Sequence, residues 1–271
     1  MNETELLFTS ILNCNRLSLY LNKDILLDKA KSSLVSSVLK RRVQGEPLQY
    51  ILGKTEFMGL EFKVTTDVFI PRPETEILVE TVIKQLSAIS YKLSAINILD
   101  LGTGSGCIAV SLAKLLPDVN VTAIDTSQEA LNIAKKNAEI NAVADKIKFI
   151  QSDLLTAYSL QLTAYDIIVT NPPYIPTRDI ETLQAEIRYE PRIALDGGRD
   201  GLDFYRRIID IAVRYLKKGG FVIMEMGFNQ KDAIKNIFQN SGYFEIIEFV
   251  KDYNNMDRVV IAKKRERKWI N

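Results

Sequence analysis

Asn171, Pro172, Pro173 and Tyr174 follow directly on residues 165–170, an apolar run short enough to be one buried strand. Two consecutive prolines fix φ and remove two N–H donors. The backbone after Asn171 therefore cannot continue a sheet ladder and is held stiffly at the strand's end. That leaves acceptors without donors, the Asn171 side-chain carbonyl and the Pro172 backbone carbonyl, with the flat Tyr174 ring beside them. Such a set suits a planar NH2 group. The plainer reading of Asn-Pro is a strand-terminating turn, and the rest of the chain must decide between the two.

Upstream, Asn97 to Leu101 reads as a buried strand, Gly102-Thr103-Gly104-Ser105-Gly106 as a tight turn, and Cys107 to Leu116 as a helix. Glycines at alternate positions let backbone N–H groups approach a ligand closely, and the following helix adds its positive N-terminal end. The dinucleotide fingerprint wants glycine or alanine where Cys107 stands, and Gly106 falls one residue early. A nicotinamide reading is weakened by this, and a nucleoside cofactor without a pyrophosphate is left. The next strand, Val119 to Asp125, ends in an acid about twenty residues beyond the glycines, where such folds hold ribose hydroxyls. Asp125 offers an oxygen to each of two hydroxyl donors, and could also cap a helix over Ser127 to Asn141. A third strand, Ile147 to Gln151, leads into Ser152-Asp153-Leu154. Asp153 is suited there to an adenine amino group, with Leu154 over the ring face, or else is a turn residue.

Composition narrows the chemistry. The 271-residue chain has no histidine, which excludes Ser-His-Asp and Cys-His catalysis and the usual His-bearing zinc or iron sites. Its two cysteines, Cys14 and Cys107, lie far apart, so neither a disulfide framework nor a Cys-rich metal site is expected. The formal charge of +1 does not call for a nucleic-acid partner. No apolar run approaches the roughly 18 to 20 residues of a membrane span, and Glu3 and Glu5 stand where a signal peptide wants positive charge. A cytoplasmic protein, monomeric by default, is expected.

The elements that must position these residues alternate in type. Residues 1 to about 50 carry apolar positions at helical spacing, among them Leu6, Leu7, Ile11, Leu34, Val35, Val38 and Leu39, and predict several short helices packed on one another. From Gly45 a hairpin is predicted around Met58-Gly59, leading through Pro71-Arg72-Pro73 into a helix begun by Glu74 or Thr75 and running from Ile77 to Leu86. Arg72, between prolines, is either rigidly aimed or a solvent-facing linker residue. The long irregular stretch from Tyr174 to Gly201 is expected to be functional or mobile. After it come a helix over Leu202 to Leu216, a Gly219-Gly220 break, a strand over Phe221 to Met226, a helix near Lys231 to Gln239, and an antiparallel pair over Phe244 to Val250 and Arg258 to Ala262. The basic run Lys263 to Lys268 reads as a solvated tail. This order calls for a doubly wound α/β sheet with a reversed last strand.

Taken together, Phe69-Ile70-Pro71-Arg72-Pro73-Glu74-Thr75-Glu76, Leu99-Asp100-Leu101-Gly102-Thr103-Gly104-Ser105-Gly106 and Asn171-Pro172-Pro173-Tyr174 closely resemble the protein-(glutamine-N5) methyltransferases that act on peptide-chain release factors. The similarity covers almost the whole chain. It implies a seven-stranded, Rossmann-like class I methyltransferase domain over 74–271, a β-hairpin linker over 51–73 and a small helical recognition domain over 1–50. It also implies S-adenosyl-L-methionine as cofactor and the glutamine of a Gly-Gly-Gln motif as methyl acceptor. By this match Gly102, Thr103, Gly104, Ser105, Gly106 and Asp125 hold the cofactor, Leu154 lies near its adenine, and Asn171, Pro172, Pro173 and Tyr174 grip the glutamine; Asp153 and Asn171 are also expected to border the cofactor. The sequence departs from relatives at Leu154, where an aromatic is common, and at Met58, where a Trp is common.

The chemistry agrees with that expectation. An amide nitrogen is a poor nucleophile, and no histidine is present to serve as base. If Asn171 Oδ1 and the Pro172 carbonyl each take one N–H of the substrate amide, they orient its nitrogen, and oriented attack is worth roughly 7 to 11 kcal/mol. Acceptors aimed at the developing positive nitrogen add electrostatic stabilisation, and proton loss can follow transfer. The same four residues would serve an adenine-N6 methyltransferase acting on a flipped base. Such an enzyme should show a basic, aromatic-bearing surface. A non-enzymatic module retaining a nucleoside pocket is the other alternative, and the intact Asn171 and Asp125 argue against it.

Overall fold

The computed structural model describes residues 2–21, 26–88, 95–153 and 165–266. The helical spacing at the start resolves into α1 (Glu3–Leu12), α2 (Arg16–Leu21), α3 (Lys29–Val43) and α4 (Leu48–Leu52). Asn2 opens α1 with a capping box, accepting the Glu5 N–H while the Glu5 carboxylate accepts its own. Leu7, Val38 and Leu48 meet in a small core flanked by Leu6, Phe8 and Ile11. Leu34 and Leu39, expected at helical spacing with Val38, are about half exposed (49% and 50%), because α1 and α4 cover only one side of α3.

The hairpin is shorter than predicted. Residues 48–52, where the hairpin was expected to begin, form α4, which follows Pro47 and stops at Gly53 in the left-handed region (φ 72°). The pair is confined to β1 (Lys54–Phe57) and β2 (Leu60–Lys63), joined by Met58 and Gly59 at φ 52° and 71°. Positive φ at both central residues gives a turn whose twist matches the strands it joins. Phe57 and Phe62 are buried edge to face, their rings 6.0 Å apart, inside the main core. The next helix, α5 (Pro73–Ala88), starts at Pro73 rather than at a Glu74 or Thr75 cap. Proline suits the first helical position because its missing N–H has no partner there anyway. Thr75 thus lies in the first turn, its hydroxyl free for other work.

Seven strands form one sheet: β3 (Ile96–Leu101), β4 (Val119–Asp125), β5 (Ile147–Gln151), β6 (Tyr165–Thr170), β7 (Leu216–Glu225), β8 (Phe244–Lys251) and β9 (Asp257–Lys264), in the order β5-β4-β3-β6-β7-β9-β8. The reversed last strand, β9, runs antiparallel to both β7 and β8 and lies between them. Neighbouring strand residues feed opposite cores, as a period of two requires. Ile98, Ile167, Val169 and Ile223 pack with α5 and α6 (Cys107–Leu115). Leu99, Ile168, Val222 and Met224 pack with α8 (Asp203–Tyr215) and α9 (Lys231–Ser241). With both faces covered, the central strands read as largely apolar runs. Gly219 and Gly220, expected as a break before the strand, are part of β7. The register jumps there from Tyr165↔Leu216 to Ile167↔Phe221, and a Cβ on Gly220 would lie 2.8 Å from the Asp166 carbonyl. Lys263 and Lys264, expected in a solvated tail, belong to β9. The Lys264 ammonium donates to the Val213 and Leu216 carbonyls at the end of α8.

Candidate active site

The chain winds from β3 outward to β4 and β5, then returns to place β6 on the other side of β3. Doubly wound sheets bind ligands where the winding reverses, beyond the carboxyl ends of the strands. Parallel register sets the levels there. Asp100 pairs with Val169 and Leu101 with Ile124, while the Thr170 hydroxyl donates to the Leu101 carbonyl at 2.7 Å. The glycine turn, Asp125 and Asn171 therefore leave three adjacent strands at the same height. Ser152 donates its N–H to the Asp125 carbonyl, which holds the exposed Asp153 beside the same edge. Leu154 lies outside the described residues.

In the glycine turn, Gly102, Gly104 and Gly106 all have positive φ (69°, 54° and 80°). A Cβ on Gly102 or Gly104 would meet nothing within 4 Å, so backbone faces open space there, whereas one on Gly106 would strike Ala134 Cβ at 2.9 Å. Gly106 is thus needed for close packing against α7 (Gln128–Ile140). Asp125 accepts the Gly104 N–H through Oδ2 (2.8 Å) and the Ser127 N–H through Oδ1 (3.0 Å). It does not cap α7, since Ser127 does that by accepting from the Ala130 N–H. Each Asp125 oxygen keeps a lone pair for a further donor, and burial raises its pKa against the pull of those amides. Beneath the turn, Asp100 is wholly buried. Its Oδ2 accepts the Thr103 hydroxyl at 2.7 Å, while Oδ1 has no hydrogen-bond partner among the described residues. Burial lifts the Asp100 pKa to about 7. An orphaned buried carboxylate oxygen, an acid at the end of β4 and glycines that leave room for backbone approach fit a cationic nucleoside such as S-adenosylmethionine.

Behind Asn171 stands a polar network. The Asn171 Nδ2 donates to Thr75 Oγ1 (3.0 Å), and Thr75 in turn donates to Glu225 Oε2 (2.7 Å). The Tyr174 hydroxyl lies 3.4 Å from Glu225 Oε1. Thr75 and Glu225 are both buried, and burial pushes the Glu225 carboxyl up to about 7. The Pro172 carbonyl accepts no hydrogen bond from the described residues. The stretch after Tyr174 is pinned rather than loose: Ile175 donates to the Leu195 carbonyl, Gly197 to that of Ile175 and Thr177 to that of Gly198. Gln230 donates to the Tyr174 and Gly201 carbonyls. A Cβ on Gly201 would lie 2.4 Å from the Tyr174 carbonyl, which explains a glycine there. Arg72 is no solvent linker. It pairs with the buried Glu190, whose other oxygen accepts the Ile70 N–H, tying the Pro-Arg-Pro segment to the loop that backs the site.

Two family profiles match the chain, the PrmC N-terminal domain over residues 1–53 and the Methyltransferase small domain over 73–190. A release factor glutamine methyltransferase of Geobacter sulfurreducens is 42% identical over 259 residues, covering 95% of this chain and 87% of that one. Another, of Thermodesulfovibrio yellowstonii, is 41% identical over 266 residues, covering 97% and 92%. The chain belongs to the release factor glutamine methyltransferase family. As a member it is an S-adenosylmethionine-dependent methyltransferase. The fold is shared more widely. The hMettl16 catalytic domain, solved in complex with a MAT2A 3'UTR hairpin, superposes with a TM-score of 0.62 at 19% identity, over 87% of this chain and 91% of that one. A ribosomal protein L11 methylase of Lactobacillus delbrueckii gives a TM-score of 0.52 at 20% identity, over 73% and 82%.

Sequence reasoning gave Asp100, Thr75 and Glu225 no role in the site. Asp100 was hidden as one more residue of a buried strand, although an acid inside an apolar run is itself a signal. The same holds for Glu225 between Met224 and Met226. Thr75 gave no such signal, since its value comes from two elements far apart in sequence.

Proposed function

We propose that this methyltransferase acts on the side-chain amide nitrogen of the glutamine in the Gly-Gly-Gln motif of peptide chain release factors. Membership of the release factor glutamine methyltransferase family carries the choice of substrate, and the orientation of Asn171 supports the chemistry. Its NH2 is engaged by Thr75, so Oδ1 turns the other way, as an acceptor beside the Pro172 carbonyl and level with the glycine turn. S-adenosylmethionine, when bound, supplies an electrophilic methyl carbon on a sulfonium. Gly102 to Gly106 would cradle it, Asp125 would accept from its ribose hydroxyls, Asp100 would face its positive charge, and Asp153 would border its base.

Asn171 Oδ1 and the Pro172 carbonyl then take the two N–H groups of the glutamine amide and aim its nitrogen. Pro173 stiffens the pair, and the Tyr174 ring lies against the flat amide. Electron density stays on the nitrogen because both acceptors pull on its protons. The surplus proton leaves after transfer, so no residue has to act as a strong base.

Residues 1–50 are assigned to recognition of the factor's body, residues 51–73 to the hairpin that frames the site and 74–271 to catalysis. Exposed Leu17, Tyr20, Leu21 and Val43 on the helical unit support the first assignment. Arg42, which pairs with Glu186 of the loop backing the site, supports a fixed link between the two parts. A translation factor as substrate implies work in the cytoplasm, and no described helix is long and apolar enough to cross a membrane. The protein is read as a monomer, which sedimentation at assay concentration checks.

Incubation with labelled S-adenosylmethionine and either release factor or nucleic acid tests the reading. Label should enter the factor alone, and mass spectrometry should place the methyl on the glutamine. Label in nucleic acid with an unlabelled factor overturns it.

A further inference from the structure

Glu225 is a buried acid whose position the reaction scheme above leaves unexplained. It closes β7 after Val222, Ile223 and Met224, all wholly buried, and none of the described cations pairs with it within salt-bridge distance. The nearest positive group in effect, Arg258 on β9, is committed to Asp252 and to the Met226 carbonyl. Burying a carboxylate without an ion partner is costly, and a glutamine would fill the same space at less cost.

The count of protons explains the acid. A threonine hydroxyl has one proton. An ionised Glu225 can only accept, so at 2.7 Å the Thr75 proton points to Glu225. Thr75 Oγ1 then has only lone pairs to offer Asn171 at 3.0 Å, and the carboxamide must present its NH2 there and Oδ1 to the other side. Were Thr75 free to donate toward Asn171, the amide would turn over and set its own NH2 against the NH2 of the substrate.

We propose that Glu225, acting through Thr75, is the positioning residue that fixes which end of the Asn171 carboxamide meets the substrate. The inference rests on the reading that Asn171 Oδ1 accepts a substrate N–H. The groups facing the Glu225 carboxyl are Glu74 and Thr75 from α5, the buried Cys107 thiol of α6, Tyr174 after β6 and Arg258 from β9, with Tyr205 of α8 donating to the Glu225 backbone carbonyl. Of these, Arg258 and the hydroxyls of Thr75 and Tyr174 favour the ionised carboxyl and Glu74 opposes it. Its pKa of about 7 puts loss of the orienting charge on the acid side of neutrality.

Kinetics of wild type, Thr75→Val, Thr75→Ser and Glu225→Gln on release factor, with methylation mapped on the wild-type product, test the proposal. Valine keeps the shape of threonine and removes the hydroxyl. It should lower kcat by about 10- to 100-fold, the order of losing an aimed polar group, with KM for the factor and affinity for S-adenosylmethionine held within about threefold. Serine restores the hydroxyl and should return kcat to near wild type. Wild-type kcat should fall below about pH 7, and Glu225→Gln should abolish that fall. A wild-type kcat in the valine variant, an equal loss in serine and valine, or an unchanged acid limb in the glutamine variant overturns the proposal. Nuclear magnetic resonance of the Asn171 carboxamide separates this outcome from failure of the substrate reading. Its NH2 signals should shift in Thr75→Val whatever the substrate proves to be, and unchanged signals overturn the inference even if glutamine methylation is confirmed.

Discussion

Asp100 and Asn171 divide the work of the site at the level of single atoms. Asp100 keeps one oxygen unpartnered and has its pKa raised to about 7 by burial, so below neutrality it is protonated in the free protein. Binding a cationic donor favours its ionised form. Affinity for S-adenosylmethionine should therefore weaken as pH falls through 7, by up to about tenfold per unit. Calorimetry in buffers of different ionisation enthalpy should show proton release on binding, and Asp100→Asn should flatten both effects. Asn171 acts on the other ligand. Asn171→Ala should cut kcat by at least about 10²-fold, as loss of an aimed polar group does, while calorimetric affinity for S-adenosylmethionine stays within about twofold. Matching losses in the two measurements would move Asn171 into the cofactor site. The acceptor chemistry of Asn171 and Pro172 was legible from residue type alone, because prolines remove donors wherever they fold. The proton-counting role of Thr75 was not legible, because it depends on a partner 150 positions away in the chain.

At the scale of elements, the glycine turn shows how one motif mixes two requirements. Gly106→Ala forces a Cβ to within 2.9 Å of Ala134 Cβ at φ 80°. It should destabilise the fold by roughly 1 to 3 kcal/mol, visible as a lowered Tm without donor. Gly104→Ala meets open space, so only its left-handed φ opposes it, at about 1 kcal/mol. Its larger effect should be on affinity for S-adenosylmethionine, measured by calorimetry on folded protein. The strands were readable because they are fed by two cores and carry largely apolar runs. Their ends were less so: β7 absorbs Gly220 because the Asp166 backbone presses close and Gly219 because its φ of 76° suits glycine, and α5 starts at Pro73 because the missing N–H costs nothing there.

For the whole molecule, Asp100 and Glu225 both carry pKa values of about 7, raised chiefly by burial. A raised acid stabilises the fold fully below its unfolded pKa, and that contribution is lost as pH climbs through the folded value. Against the opposite trend of carboxylates held low by their partners, such as Asp196 and Asp200, Asp100→Asn should gain Tm relative to wild type as pH rises from about 4 to 7 and hold that gain above it. The helical unit belongs to this scale as well. Leu21→Glu with Val43→Glu, both exposed, should raise KM for intact factor severalfold and leave a short glutamine peptide unaffected. Equal effects on both substrates would remove the unit from recognition.

One side chain joins the parts more tightly than the sequence shows. The Asn137 carboxamide accepts the Lys63 N–H and donates to the Lys63 and Ser105 carbonyls, so a hairpin strand and the glycine turn hang on a single anchor. Whatever quiets the turn also quiets the strand that frames the acceptor. The methyl donor should thus slow deuterium uptake at the hairpin and prepare the landing place for the second ligand, giving turnover a preferred sequence in which the donor arrives before the protein it modifies.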